Sequence, residues 1–155
     1  MGAREFFLSV YAAAEEVGRT RRTLARMRSH EGLRGGIAAG SSSGSHADSM
    51  RPTDERMDFE ERMRARLETD RAIIDEATAI IYGSKAGTGG VAALLGTATA
   101  DTLWWRYCMA KGWHEVSWQV ERSESWCRTH VGLAFDLIDS LGAGAVKAGD
   151  GGADW

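Results

Sequence analysis

Residues 106–134 read RYCMAKGWHEVSWQVERSESWCRTHVGLA. The breaks and apolar stripes of this stretch decide the fold. Upstream of Gly112, which ends a run, a helix is predicted over 99–110 with Leu103, Tyr107 and Trp104 on its buried side. Trp113, Val116 and Val120 recur at turn spacing, which predicts a short helix over 113–120. Glu121, Arg122 and Ser123 make a brief connection, and Ser123 suits the N-cap of a third helix. That helix carries Cys127, Val131, Ala134, Ile138 and Leu141 on one stripe, with Trp126, His130, Leu133 and Leu137 beside it. A short helix, a tight turn and a longer helix follow the helix-turn-helix plan. In that plan the N-terminal side chains of the second helix reach the major groove.

The same residues resemble the DNA-binding fourth region of bacterial sigma factors. They are most similar to the version found in small phage regulators of the RinA and ArpU type. The family pattern runs, loosely, L-x-x-R-Y, a spacer ending in Gly, W-x-x-[IV], a turn with Ser, and R-x-H. Leu103, Arg106, Tyr107, Gly112, Trp113, Val116, Ser123, Arg128 and His130 match it in order and spacing. The resemblance covers about 40 residues. It departs from the pattern at Glu121, where the turn commonly has glycine, and at Trp126, where an aliphatic residue is usual. It implies double-stranded DNA and host RNA polymerase as partners, and a phage or prophage transcription regulator. Arg128 is the base-contact candidate, since arginine makes bidentate contacts to guanine. Arg122 is a phosphate candidate, and Ser123, Glu124, Ser125 and Thr129 share the same exposed end.

Charge bears on how such a module holds DNA. Residues 97–141 contain Arg106, Lys111, Arg122 and Arg128 against six acids, so few phosphates would be neutralised by this segment alone. Polymerase, as the resemblance implies, would then supply much of the grip.

Working outward, glycines punctuate the chain: five lie in 32–45, five in 83–96 and five in 142–155. They separate glycine-poor segments 3–31, 53–82 and 97–141, each of which reads as helix. In the first, Phe7, Val10, Ala14, Val17, Arg21, Leu24 and Arg28 step by three and four. In the second, Pro52, Thr53, Asp54 and Glu55 suit a helix start, and Met63, Leu67, Asp70, Ile74, Ala77 and Ile81 form a seam. Both seams are narrow, as in coiled coils. Residues 19–28 hold five arginines and no acid, whereas 54–61 hold five acids and one arginine. An antiparallel hairpin sets these runs side by side, and the helix dipoles favour that placement. The rival reading is that Arg19 to Arg28 grip phosphates.

The expected fold is therefore all-α: a long, coiled-coil-like antiparallel helical hairpin over 1–82, then a C-terminal sigma-like helix-turn-helix over 97–141. A disordered Gly/Ser-rich linker is expected at 29–52, a glycine-rich hinge at 83–96 and a disordered tail at 142–155. The hairpin offers a surface for homo-oligomers.

Other classes are disfavoured. A formal charge of −3 excludes a strongly basic whole-chain nucleic-acid binder. No apolar run approaches the ~20 residues of a membrane span. MGAREFFLSV is a poor signal peptide, and two cysteines make no disulfide framework, so a cytoplasmic protein of the bacterial host is expected. Cys108, His114, Cys127 and His130 are spaced C-x5-H-x12-C-x2-H, unlike common zinc sites, so no metal is expected. GSKAGTGG at 83–90 lacks the Lys-Ser/Thr of a phosphate loop, with Val91 and Ala92 in their place. No nucleophile with a base is in view, so no enzyme and no cofactor are expected. Five tryptophans in 104–126 read as core rather than as a stacking platform, although Trp104 and Trp105 cannot both point inward. Two rival functions remain: a small terminase-like DNA-packaging or assembly protein, and a helix-turn-helix interaction module without DNA binding.

Overall fold

The computed structural model describes residues 1–35, 46–85 and 87–150. The chain is all-α. Its helices are α1 Ala3–Gly35, α2 His46–Tyr82, α3 Gly90–Leu95, α4 Thr97–Leu103, α5 Trp113–Val120, α6 Glu124–Leu141 and α7 Ala143–Ala148. A π-helical turn, Trp104–Cys108, continues α4.

The chain divides into two compact units, and the division differs from the expected one. One unit combines Met1–Glu15 with the chain from Asp70 onward; the other is Glu16–Thr69. The first turns of α1 thus belong with the C-terminal helices rather than with a separate hairpin. The reason is aromatic burial. Phe7 is fully buried, with its ring 5.5 Å from Tyr107 and 5.4 Å from Phe135, centroid to centroid. Phe135, which the predicted stripe passed over, is the α6 member of this cluster. Ala3, Val10, Ala77, Ile81, Val91, Leu103, Val131, Ala134, Ile138 and Val146 are among the other members of the same core. Burying a side chain the size of Phe7 contributes about 2–3 kcal/mol.

The glycine-rich stretch 83–96 is no hinge. A Cβ on Gly83 would lie 1.7 Å from the Thr88 carbonyl oxygen, and one on Gly90 2.4 Å from the Gly83 nitrogen. Both glycines have positive φ, which side chains disfavour. Glycine here serves close backbone approach, and α3 follows with Val91 buried. The expected disordered tail also needs correction. Within 142–155, α7 forms at Ala143–Ala148, buries Val146 and ties Lys147 to Glu76. Of the expected linker 29–52, residues 29–35 continue α1 and 46–52 begin α2, ahead of the start read at Pro52. Once a helix is nucleated, each added residue gains a hydrogen bond, and this outweighed the polar composition. Residues 36–45 lie outside the described residues, as do 151–155.

In the unit Glu16–Thr69, α1 buries Val17 and Thr20 and half-buries Leu24 and Met27, while α2 buries Met63 and Leu67. Arg21 and Arg28, placed on the predicted face, are exposed. Thr20 takes the seam position because 3.6 residues per turn drifts from a strict seven-residue repeat. The expected charge pairing is not formed: among the described residues no ion pair joins 19–28 to 54–61. Glu60 pairs instead with Arg64 of its own helix, at 3.8 Å.

Candidate nucleic-acid interface

The segment 97–141 breaks close to where its sequence says. α5 begins after Gly112 and ends at Val120; the chain turns through Glu121, Arg122 and Ser123; α6 begins at Glu124. Ser123 Oγ accepts the Trp126 N–H at 3.0 Å, which satisfies one free donor at the start of α6. The turn is made by Glu121 in the left-handed region, φ 55°, ψ 44°. That conformation is what glycine favours, and a glutamate adopts it at a cost.

The predicted contact residues come together at this end of α6. Arg122, Ser123, Ser125, Arg128 and Thr129 are exposed, and Glu124 is half-buried. Arg122, Glu124 and Arg128 have local arrangements that the sequence did not specify. Arg122 Nη1 donates to the Glu121 carbonyl at 3.2 Å, and its guanidinium lies 5.4 Å from the Trp126 ring centre. Trp126 stacks on His130, 3.7 Å between centroids and 17° between planes. The His130 Nδ1 is 2.8 Å from the Trp126 carbonyl oxygen. His130 is thus a packed residue of α6, and Trp126 in the aliphatic position forms a column with it and Arg122. The Arg128 guanidinium lies 5.3 Å from the Trp113 ring centre. Glu124 faces His114 across 3.6 Å.

Arg106 has a different task from the other cations of the segment. Its guanidinium lies 4.8 Å from the Tyr11 ring centre and 4.6 Å from that of Trp113, and Nη1 donates to the Lys111 carbonyl at 2.9 Å. It joins α1, the π-helical turn and α5. The segment's other cations are Arg122 and Arg128, which are exposed, and Lys111, which is half-buried.

The tryptophans divide as follows. Trp104 and Trp105 are both half-buried and meet edge to face at 5.1 Å. The π turn is closed by Met109 N–H to Trp104 O at 3.0 Å, and of the two indoles Trp104 packs against the core. Among the described tryptophans Trp118 is the exposed one, at 76%, near the end of α5. It lines an open cleft with Gln119, Arg122 and Ser123. Leu133, placed beside the buried stripe from sequence, is 50% exposed.

The thiols lie in apolar surroundings. Burial pushes Cys108 up to about 11, partly offset by a contact with the Thr78 hydroxyl, and burial raises Cys127 as well. Among the described residues no three His, Cys, Asp or Glu side chains converge as a metal site would require. No helix among them is long and apolar enough to cross a membrane.

Comparison with protein-family models, characterised proteins and solved structures finds no match for this chain.

Proposed function

We propose that the chain is a transcription regulator of phage type, in which α5 and α6 act as a sigma-like helix-turn-helix and the long helices pair as an antiparallel hairpin. α6 meets double-stranded promoter DNA, and host RNA polymerase is the second partner. One observation carries the reading: the capped, exposed start of α6 gathers Arg122, Ser125, Arg128 and Thr129 behind a three-residue turn from α5. This is the end of a recognition helix that meets base edges. Arg128 is the base reader and Arg122 the phosphate contact. The resemblance of 103–130 to phage regulators of the RinA and ArpU type supports polymerase as the partner.

Chromatin capture of the tagged protein in its host, with and without polymerase inhibition, tests the reading. Enrichment at discrete promoter-proximal sites that weakens with polymerase inhibition is expected. Enrichment nowhere would overturn it. The interaction-module reading has an observation of its own in Trp118, an exposed indole beside the turn. In that case a Trp118→Ala variant loses its partner while Arg128→Ala does not.

A further inference from the structure

The unit Glu16–Thr69 holds eleven basic and nine acidic residues, whereas the rest of the chain holds eight basic and thirteen acidic. The unit bearing α6 is thus acidic on balance, and one of its arginines, Arg106, is committed to aromatic packing. α2 exposes Arg62, Arg64, Arg66 and Arg71 among several acids, whereas α1 carries a run of exposed cations with no acid among them. Residues 17–30 contain five arginines and no acid. Arg19, Arg21, Arg22, Arg26 and Arg28 are all exposed, and none forms an ion pair with a described acidic residue. The acidic run 54–61 of the same unit leaves them unpaired. Arg22 Nη1 lies near Gly18, one turn back on its own helix.

The arginines are ordered as well as exposed. Arg19, Arg22 and Arg26 step by three and four and so share one face of the helix. The buried positions of the same stretch, Val17, Thr20 and half-buried Leu24, lie on the opposite side. The three arginines span about 10 Å of helix axis. A DNA strand presents a phosphate about every 3.4 Å along its axis, so about three phosphates fit this length. Guanidinium groups match phosphate oxygens two at a time.

We propose that Arg19, Arg22 and Arg26 form a phosphate-binding stripe for duplex DNA, which supplies the sequence-independent affinity that the acidic α6 unit lacks. This rests on the reading of α6 as a DNA-reading helix. The stripe adds grip; Arg128 adds discrimination.

The test is fluorescence anisotropy of the full chain with a labelled duplex of mixed sequence, over a salt series. Each phosphate neutralised contributes about 0.9 to the slope of log K against log salt. The triple variant Arg19→Ala, Arg22→Ala and Arg26→Ala is expected to flatten the slope by about 2.7 and to weaken binding more than tenfold at low salt. Alanine is a strong helix former, and circular dichroism checks that α1 persists. Replacing the same three by lysine should retain most of the slope. An unchanged slope in the alanine variant, with Arg128→Ala still losing site discrimination, overturns the stripe and leaves the α6 reading standing. No duplex binding by the unaltered chain overturns both. Stripe-dependent sedimentation with phosphatidylserine vesicles, alongside an unchanged duplex slope, makes the stripe a lipid-surface contact and overturns the proposal.

Discussion

The guanidinium of Arg128 lies 5.3 Å from the centre of the Trp113 indole, which on its other contact holds Arg106 at 4.6 Å. One indole from the first residue of α5 therefore fixes a structural arginine and positions the candidate base reader of α6. A cation on an exposed aromatic face is held by about 0.5–1 kcal/mol, weak enough for Arg128 to leave for a guanine edge.

Arg128→Ala should therefore reduce discrimination between sites by about 1–3 kcal/mol while leaving helix content intact. Arg122→Ala should weaken all sequences alike, as loss of a phosphate contact does. Competition binding with a panel of promoter fragments separates the two. Equal loss across the panel for both variants would remove Arg128 as a reader.

The turn before α6 holds Glu121 at φ 55°. Glu121→Gly should relieve left-handed strain, offset in part by the greater freedom of glycine in the unfolded chain, for a net gain of about 0.5–1 kcal/mol. For a chain of this size the melting temperature should rise by about 1–4 °C. Differential scanning calorimetry reads this directly. A fall would mean that the Glu121 side chain stabilises the turn.

Two glycines should respond in opposite directions to the same change. Gly132 sits within α6 with open space around a notional Cβ, so Gly132→Ala should stabilise by up to about 1 kcal/mol. Gly90→Ala sets a methyl group against the Gly83 nitrogen and Ile81 carbonyl and should cost about 3 kcal/mol or more. Urea unfolding of both variants checks the contrast. Tolerance of Gly90→Ala would restore the hinge description of 83–96.

Stability should fall under alkaline conditions. Burial raises the Cys108 thiol to about 11 from an ordinary value near 9, so between these values the unfolded chain loses the proton first. The native state then binds more protons, and stability decreases as pH rises. The contribution, fully present below pH 9, is about 2–3 kcal/mol and is lost by about pH 11. Tyr82, raised by burial and by donating to Asp101 Oδ1 at 2.6 Å, and Tyr107, raised by burial, act in the same direction. Urea midpoints from pH 8 to 11 for the unaltered chain and Cys108→Ala measure it. Parallel pH profiles would show that Cys108 makes no such contribution.

Local rules made much of 97–141 legible. Gly112, the capping Ser123 and the repeat of Cys127, Val131, Ala134 and Ile138 mark helix ends and a buried stripe, all within one or two turns of chain. They gave α5 and α6 almost to the residue. The gathering of Arg122, Ser125, Arg128 and Thr129 at one helix end also follows from spacing, because four residues return to the same face. What those side chains rest on does not. Arg128 on Trp113, and Arg106 between Tyr11 and Trp113, join residues from separate helices.

The tertiary structure decided the rest because the deciding contacts are remote in sequence. Phe7 and Phe135 are both apolar residues on helices, and nothing local says that they meet at 5.4 Å. Their meeting moves the first turns of α1 out of the expected hairpin unit. Glycine-rich composition at 83–90 fits a flexible hinge or a tight backbone crossing equally well. Only the approach of Thr88 to Gly83, and of Lys147 to Gly89, selects the second. Likewise, opposite charges on 19–28 and 54–61 permit pairing without requiring it. Exposed ion pairs contribute little, about 0–1 kcal/mol, so the sequence determined the periodicity, the caps and the charge runs, while the tertiary structure decided that Arg19, Arg21, Arg22, Arg26 and Arg28 are exposed and form no ion pair with a described acidic residue.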